Sequence, residues 1–213
     1  MEQTGTAPLN VRGAVLCSNL ARPLVGLGLY VGRITSWLVL AVMLTVLTTV
    51  IMNAIGANEI AHWEDKVLLF GKAITINSVT ELQWHFFGVL TLFGSTYALH
   101  KDTHVRVDLL YHNLSPRAKA IVDITGHLIF LIPFCLVIAW LSQHFVKIAY
   151  FSGEESTYGG LTDRYLIKAM LPIGLVFLAI GAIGQIFQKL AVVLDPDTHY
   201  KPSEAEEIPG VLA

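Results

Sequence analysis

Residues 34–55, ITSWLVLAVMLTVLTTVIMNAI, contain no ionisable side chain. A helix needs about 20 mostly apolar residues to cross the hydrocarbon of a bilayer, and this run supplies them. Residues 82–100, shorter and more polar, 117–142 and 166–190 repeat the pattern. Only 14% of the chain is charged, against roughly 25% in soluble domains. The sequence therefore reads as an all-α integral membrane protein with four transmembrane helices. The first run exceeds the apolar stretch of a cleavable leader, and no small-residue cleavage site follows it, so it reads as an uncleaved anchor.

Lys and Arg are retained on the cytoplasmic side of a membrane. With four spans, one side collects Arg12, Arg22, Arg33, Lys101, Arg106, Arg117, Lys119, Lys189 and Lys201, and the other Lys66, Lys72, Lys147, Arg164 and Lys168. Nine against five places both termini in the cytoplasm. Trp84 opens the second span and Trp140 closes the third, which puts both in one outer aromatic belt. A net charge of −2 offers no basic surplus for nucleic acid. Cys17 and Cys135 are too few and too scattered for a disulfide framework or a thiolate metal site.

Three units follow. Residues 1–33, interrupted by Pro23, read as a cytoplasmic or interfacial segment, 34–190 as the four-helix domain, and 191–213 as an acidic, Pro-broken, disordered cytoplasmic tail. The outer segment 57–81 begins polar and turns apolar, which suggests a short surface helix or re-entrant turn leading into Glu81.

Polar residues crowd into 98–120, ALHKDTHVRVDLLYHNLSPRAKA. Ser115-Pro116 is a helix start, because Ser caps free N–H groups and Pro gives up one that had no partner. Val107, Leu110, Tyr111 and Leu114 form one apolar face of a short interfacial helix. His100, His104, Asp108 and His112 would line one face of an unbroken helix, as metal ligands could, but Lys101 and Arg106 oppose a cation there. No metal site, cofactor or catalytic group is assigned. A rival reading uses His85, His100, His127 and His144 as haem ligands of a four-helix di-haem cytochrome b-type electron carrier, with His85 and His100 about 22 Å apart along one helix.

The spans carry almost no ionisable residues at depth, where each costs about 2.5–3.5 kcal/mol or more. Asp123 and His127, spaced i, i+4, form the exception and read as an interhelical or interfacial polar pair. Small and mildly polar stripes run along three spans: Thr45, Thr48, Thr49, Met52 and Asn53; Gly88, Thr91 and Ser95; Gly174, Gly181, Gln185 and Gln188. Such faces let helices approach and exchange hydrogen bonds in lipid. Gly174 and Gly181 are thus candidates for structural or partner contact. Pro133 is placed to kink the third span.

Four stretches resemble the small membrane subunit of tripartite ATP-independent periplasmic (TRAP) transporters, the DctQ family. They are Glu81-Leu82-Gln83-Trp84-His85; His104-Val105-Arg106-Val107-Asp108; Leu114-Ser115-Pro116-Arg117; and Gly153-Glu154-Glu155-Ser156 with Gly159-Gly160-Leu161, running on to Lys168 and Leu171-Pro172-Ile173-Gly174. The likeness covers about residues 30–190. Two departures stand out: a long outer segment 57–80, and Thr162 where the family pattern has Pro after Gly-Gly-Leu. The resemblance implies a non-enzymatic subunit of a sodium-driven transporter for an organic acid-type solute. Its partners would be a large membrane permease subunit and a periplasmic solute-binding protein. It further implies that His104, Arg106 and Asp108 hold the cytoplasmic hairpin, that Glu81, Glu154 and Ser156 shape the outer face, and that Trp84 lies among the structural or partner contacts.

Overall fold

The computed structural model describes residues 9–101 and 114–200. Helix α1 (Leu9–Ser36) runs through Pro23 and meets α2 (Leu38–Ile55) at a turn on Trp37. A β-hairpin follows, β1 (Glu59–Val67) and β2 (Gly71–Thr75), leading directly into α3 (Ile76–Lys101). Helix α4 (Pro116–Gly126), a π turn (His127–Leu131) and α5 (Ile132–Ser152) form one long rod, and α6 (Tyr165–Leu194) and the short α7 (Pro196–His199) complete the chain.

Local chemistry sets these limits. The Ala118 N–H donates to Ser115 Oγ at 3.3 Å and Pro116 opens α4, as the Ser-Pro pair predicts. At the opposite ends of α2 and α5, Gly56 (φ 69°) and Gly153 (φ 60°) take the left-handed conformation. The next N–H in each case reaches back to a free carbonyl, Ala57 to Met52 at 2.9 Å and Glu154 to Ala149 at 3.1 Å, and so closes the helix. Pro133 produces a π turn: its ring carries no N–H and would clash with the carbonyl four residues back. The helix widens just ahead of it, with the Ile132 N–H donating to His127 O.

Helix α6 is the axis of the molecule, packed by α1, α3, α4 and α5. Most of the residues it buries are small, among them Gly174, Ala179, Gly181, Ala182 and Gly184. A Cβ on Gly184 would lie 2.8 Å from Leu24, and one on Gly13 3.3 Å from Leu194, so α1 runs antiparallel to α6. Gly174 meets Leu92 and Gly181 meets Thr96, so α3 runs parallel to α6. On the other side of α6, Cys135 and Ala139 of α5 close a core with Leu175 and Ala179. Helix α2 packs chiefly on α3; only its Met52 is buried.

Two of the sequence expectations change. The segment 57–81 is a hairpin rather than a surface helix or re-entrant turn, with Glu59 opposite Thr75, His62 opposite Ala73 and Val67 opposite Gly71. The Trp63 indole N–H closes it on Gly71 O at 2.7 Å. Pro23 does not break the N-terminal segment, because α1 gains a packed face of Ala14, Ala21, Gly28 and Gly32, and one missing backbone bond does not outweigh it. Of the small and polar stripes, that of Gly88, Thr91 and Ser95 is not used within the chain: Gly88 faces open space, and the two hydroxyls bond to carbonyls of their own helix. Helix α3 turns Leu92, Thr96 and His100 inward instead.

Among the described residues three helical stretches are long and apolar enough to cross a membrane, Asn10–Ile55, Pro116–Ser152 and Tyr165–Leu194. Helix α3 has 26 residues, about 39 Å at 1.5 Å per residue, but it carries Glu81, Gln83, His85 and His100 and falls short in apolar character. The long rods and their outward Leu, Ile, Val and Phe side chains make this a membrane protein.

Candidate functional site

Two polar clusters stand at opposite ends of α3. The first gathers the hairpin, the start of α3 and the loop 153–164 around one carboxylate. Glu81 Oε1 accepts the Ser156 hydroxyl at 2.5 Å, and Oε2 accepts the Leu161 N–H at 2.9 Å. The loop is folded to present both donors, with the Ser156 N–H bonded to Leu161 O at 3.0 Å. Gly160 lies against the same carboxylate, where a Cβ would come within 2.7 Å of it. Leu161 is fully buried beneath.

Further bonds tie this loop to its surroundings. Asn77 Nδ2 donates to Tyr158 O at 2.6 Å and Thr75 Oγ1 to Gly159 O at 3.0 Å. Glu154 pairs with Lys168 of α6, whose ammonium also sits 4.0 Å over the Phe145 ring. Lys66 of β1 pairs with Glu155 at 2.7 Å, and that hydrogen bond raises the lysine pKa above its ordinary value. At the hairpin tip, where Leu69 has φ 72°, Leu69 O accepts the Thr162 N–H at 2.8 Å. Proline has no such hydrogen to give. Thr162, where the sequence resemblance leads one to expect Pro, and the long outer segment thus meet in one contact.

Chemically this is a clasp. The carboxylates of Glu81, Glu154 and Glu155 all accept from donors within the chain. The structure joins Glu81, Ser156 and Glu154 of the sequence candidates here. Trp84, nearly one turn along α3 from Glu81, is 70% exposed on the outside of the bundle.

The second cluster lies where α1, α3 and α6 cross. The His100 ring fills the space between Gly28 and Gly181: a Cβ on Gly28 would come within 2.5 Å of the ring, and one on Gly181 within 3.4 Å of Nε2. Thr96 lies alongside, and Gln185 Nε2 donates to Leu99 O at 2.6 Å. Beyond it, Asp123 of α4 and Lys189 of α6 form an ion pair at 2.8 Å. Asp123 is therefore an interhelical anchor to α6. His104, Arg106 and Asp108, and most of the His100–His112 metal arrangement, fall outside the described residues.

Among the described residues nothing supports the haem reading: His85 Nδ1 is bonded at 2.7 Å to Glu81 O of its own helix, His144 is on the exposed side of α5, and the His100 ring lies against Gly28 and Gly181. Among the described residues no three His, Cys, Asp or Glu side chains converge as a metal site would require.

The sequence reading passed over Gly28 and Gly32, although their spacing of four is the small-residue helix-packing signal. A Cβ on Gly32 would be 2.3 Å from Tyr97. It passed over Gln83 as well, which reaches from α3 to Thr45 O at 3.2 Å and Thr49 Oγ1 at 2.8 Å. Asn77 and Thr162 carry no signal in an isolated sequence.

Residues 38–192 match the family model for tripartite ATP-independent periplasmic transporters, DctQ component. No curated protein and no solved structure matches the chain. The matched region begins at the first residue of α2 and ends within the last turn of α6.

Proposed function

The chain belongs to the DctQ family of TRAP transporter components, and on that premise we propose that this small subunit braces the large permease subunit of a sodium-driven transporter for organic acids. It carries no solute itself and is not an enzyme. It resides in the bacterial inner membrane and crosses four times, through α1–α2, α3, α4–α5 and α6, with both termini cytoplasmic. The hairpin and the clasp then face the periplasm, where they help to dock the solute-binding protein. His104, Arg106 and Asp108 hold the opposite, cytoplasmic hairpin, and Trp84 meets lipid headgroups or the permease.

One observation carries this reading: the clasp and the inner ion pair engage their charges internally at the ends of the bundle. Ion-coupled carriers keep broken helices or buried carboxylates near mid-depth; Glu81, Glu154 and Asp123 are instead spent on holding helices and loops together. The test is reconstitution. Liposomes with this chain alone should take up no organic acid, whereas liposomes with the co-expressed permease and binding protein should. Detergent pull-down should recover the permease with this chain, and uptake by this chain alone would refute the bracing role.

A further inference from the structure

The crossing of α1, α3 and α6 leaves hydrogen-bonding atoms without protein partners. Thr96 is 0% exposed and its Oγ1 has none; Gln185 is 4% exposed and its Oε1 has none. Both ring nitrogens of His100 are likewise buried and unpartnered. The His100 ring and the Thr96 methyl lie against Gly28 and Gly181, and Gln185, about one turn on from Gly181, is held at the same end of α3 by its bond to Leu99 O. At the other end of α3 the Glu81 carboxylate has both of its oxygens engaged, although His85 Nε2 beside it is also buried without a protein partner. Buried polar atoms in native proteins are almost always paired with protein or with ordered water, and an internal water joins several such groups at once.

We infer that this crossing binds ordered water, held between the Thr96 hydroxyl, the His100 imidazole and the Gln185 side-chain carbonyl. The site differs in kind from the apolar α5–α6 core around Cys135, which has no polar lining. It also has a structural consequence. Faces built from Gly and Ala fit one another in several registers, whereas directional bonds through a shared water hold one. The inference is independent of the transporter reading, since it concerns this chain alone.

The experiment uses the full chain in lipid bilayers, with solid-state NMR transfer of magnetisation from water to side-chain carbons at short mixing times. The Thr96 Cβ and Gln185 Cδ signals should build up several-fold faster than that of Ala179 Cβ in the apolar core. Build-up no faster than at Ala179 would overturn the inference. A second measurement is Thr96→Val. A wet crossing loses a water ligand, so the thermal midpoint falls; a dry crossing sheds an unpaired hydroxyl, so the midpoint stays or rises. If the variant does not fold, the magnetisation transfer in the unmodified chain still decides.

Discussion

The two ends of α3 are secured by opposite means. At the Glu81 end, the hairpin and the loop 153–164 are joined to the helix by hydrogen bonds and ion pairs whose partners are all within the chain. At the His100 end, glycines on α1 and α6 let backbones close on one ring, and few direct polar bonds cross between the helices. The difference follows from what each end must hold. Loops and a two-stranded hairpin have little apolar surface to bury, and such a hairpin is marginal by itself, so directional bonds to a charged acceptor do the work. Helices among apolar surroundings gain nothing from further apolar burial, and close approach over small residues is what joins them.

The comparison breaks first at the glycine end. Gly181→Leu places side-chain atoms where Thr96 Cγ2 stands 2.5 Å from the Cβ position. Overpacking costs about 1–3 kcal/mol and sometimes more; here both backbones resist it, so α3 should separate from α6. Thermal unfolding in detergent should show the largest drop of the set, and a shift of only a degree or two would refute the close-approach account.

At the clasp, Glu81→Ala strands the Ser156 hydroxyl and the Leu161 N–H. With hydrogen bonds to charged groups worth about 1.5–3 kcal/mol each and partial access to water, we expect a loss of about 2–3 kcal/mol. Hydrogen exchange should rise across 156–162 while the α5–α6 core stays protected; uniform loosening would contradict a local clasp. Thr162→Pro removes one neutral bond, worth about 1 kcal/mol, and should raise proteolytic cutting at the hairpin tip without altering the Glu81 contacts.

The smallest effect belongs to Lys66→Ala. Both partners are about half exposed, 49% and 53%, and surface pairs are screened by salt, so no change in thermal midpoint should be measurable. The sign with pH is fixed: the lysine pKa is raised on folding, so the contribution is complete below the ordinary value of 10.5 and fades as pH climbs through the folded value. A loss on acidifying from pH 9 to pH 7 would contradict this assignment.

Helix starts and stops were legible where one residue does the physics. Ser115-Pro116 announces α4 and Pro133 disturbs its helix as a π turn, whereas the third span read as ending near 142 runs on to Gly153. The hairpin was not legible, because Val67-Leu68-Leu69-Phe70 reads equally as buried helix, and only pairing with β2 and the Thr162 N–H makes it a turn. Pro23 misled in the other direction, since a local helix-breaking cost says nothing of the packed face that outweighs it. In the clasp, Glu81, Glu154 and Ser156 were singled out by the family resemblance. Their donors Leu161 and Lys168, 80 and 14 residues away from Glu81 and Glu154, could not be paired with them from sequence.

By itself the sequence determined that this chain lives in a membrane, where its long apolar runs lie, and the family to which it belongs. Apolar length and scarce charge act locally, residue by residue, and survive any rearrangement of the rods. Only the tertiary structure decided that α6 is the axis, that α1 belongs to the bundle, and that Glu81 is shared by a serine hydroxyl and a distant backbone amide. Those facts depend on which surfaces meet, and in a chain whose helices offer one another small residues of nearly equal fit, that is settled by a few close approaches and directional bonds.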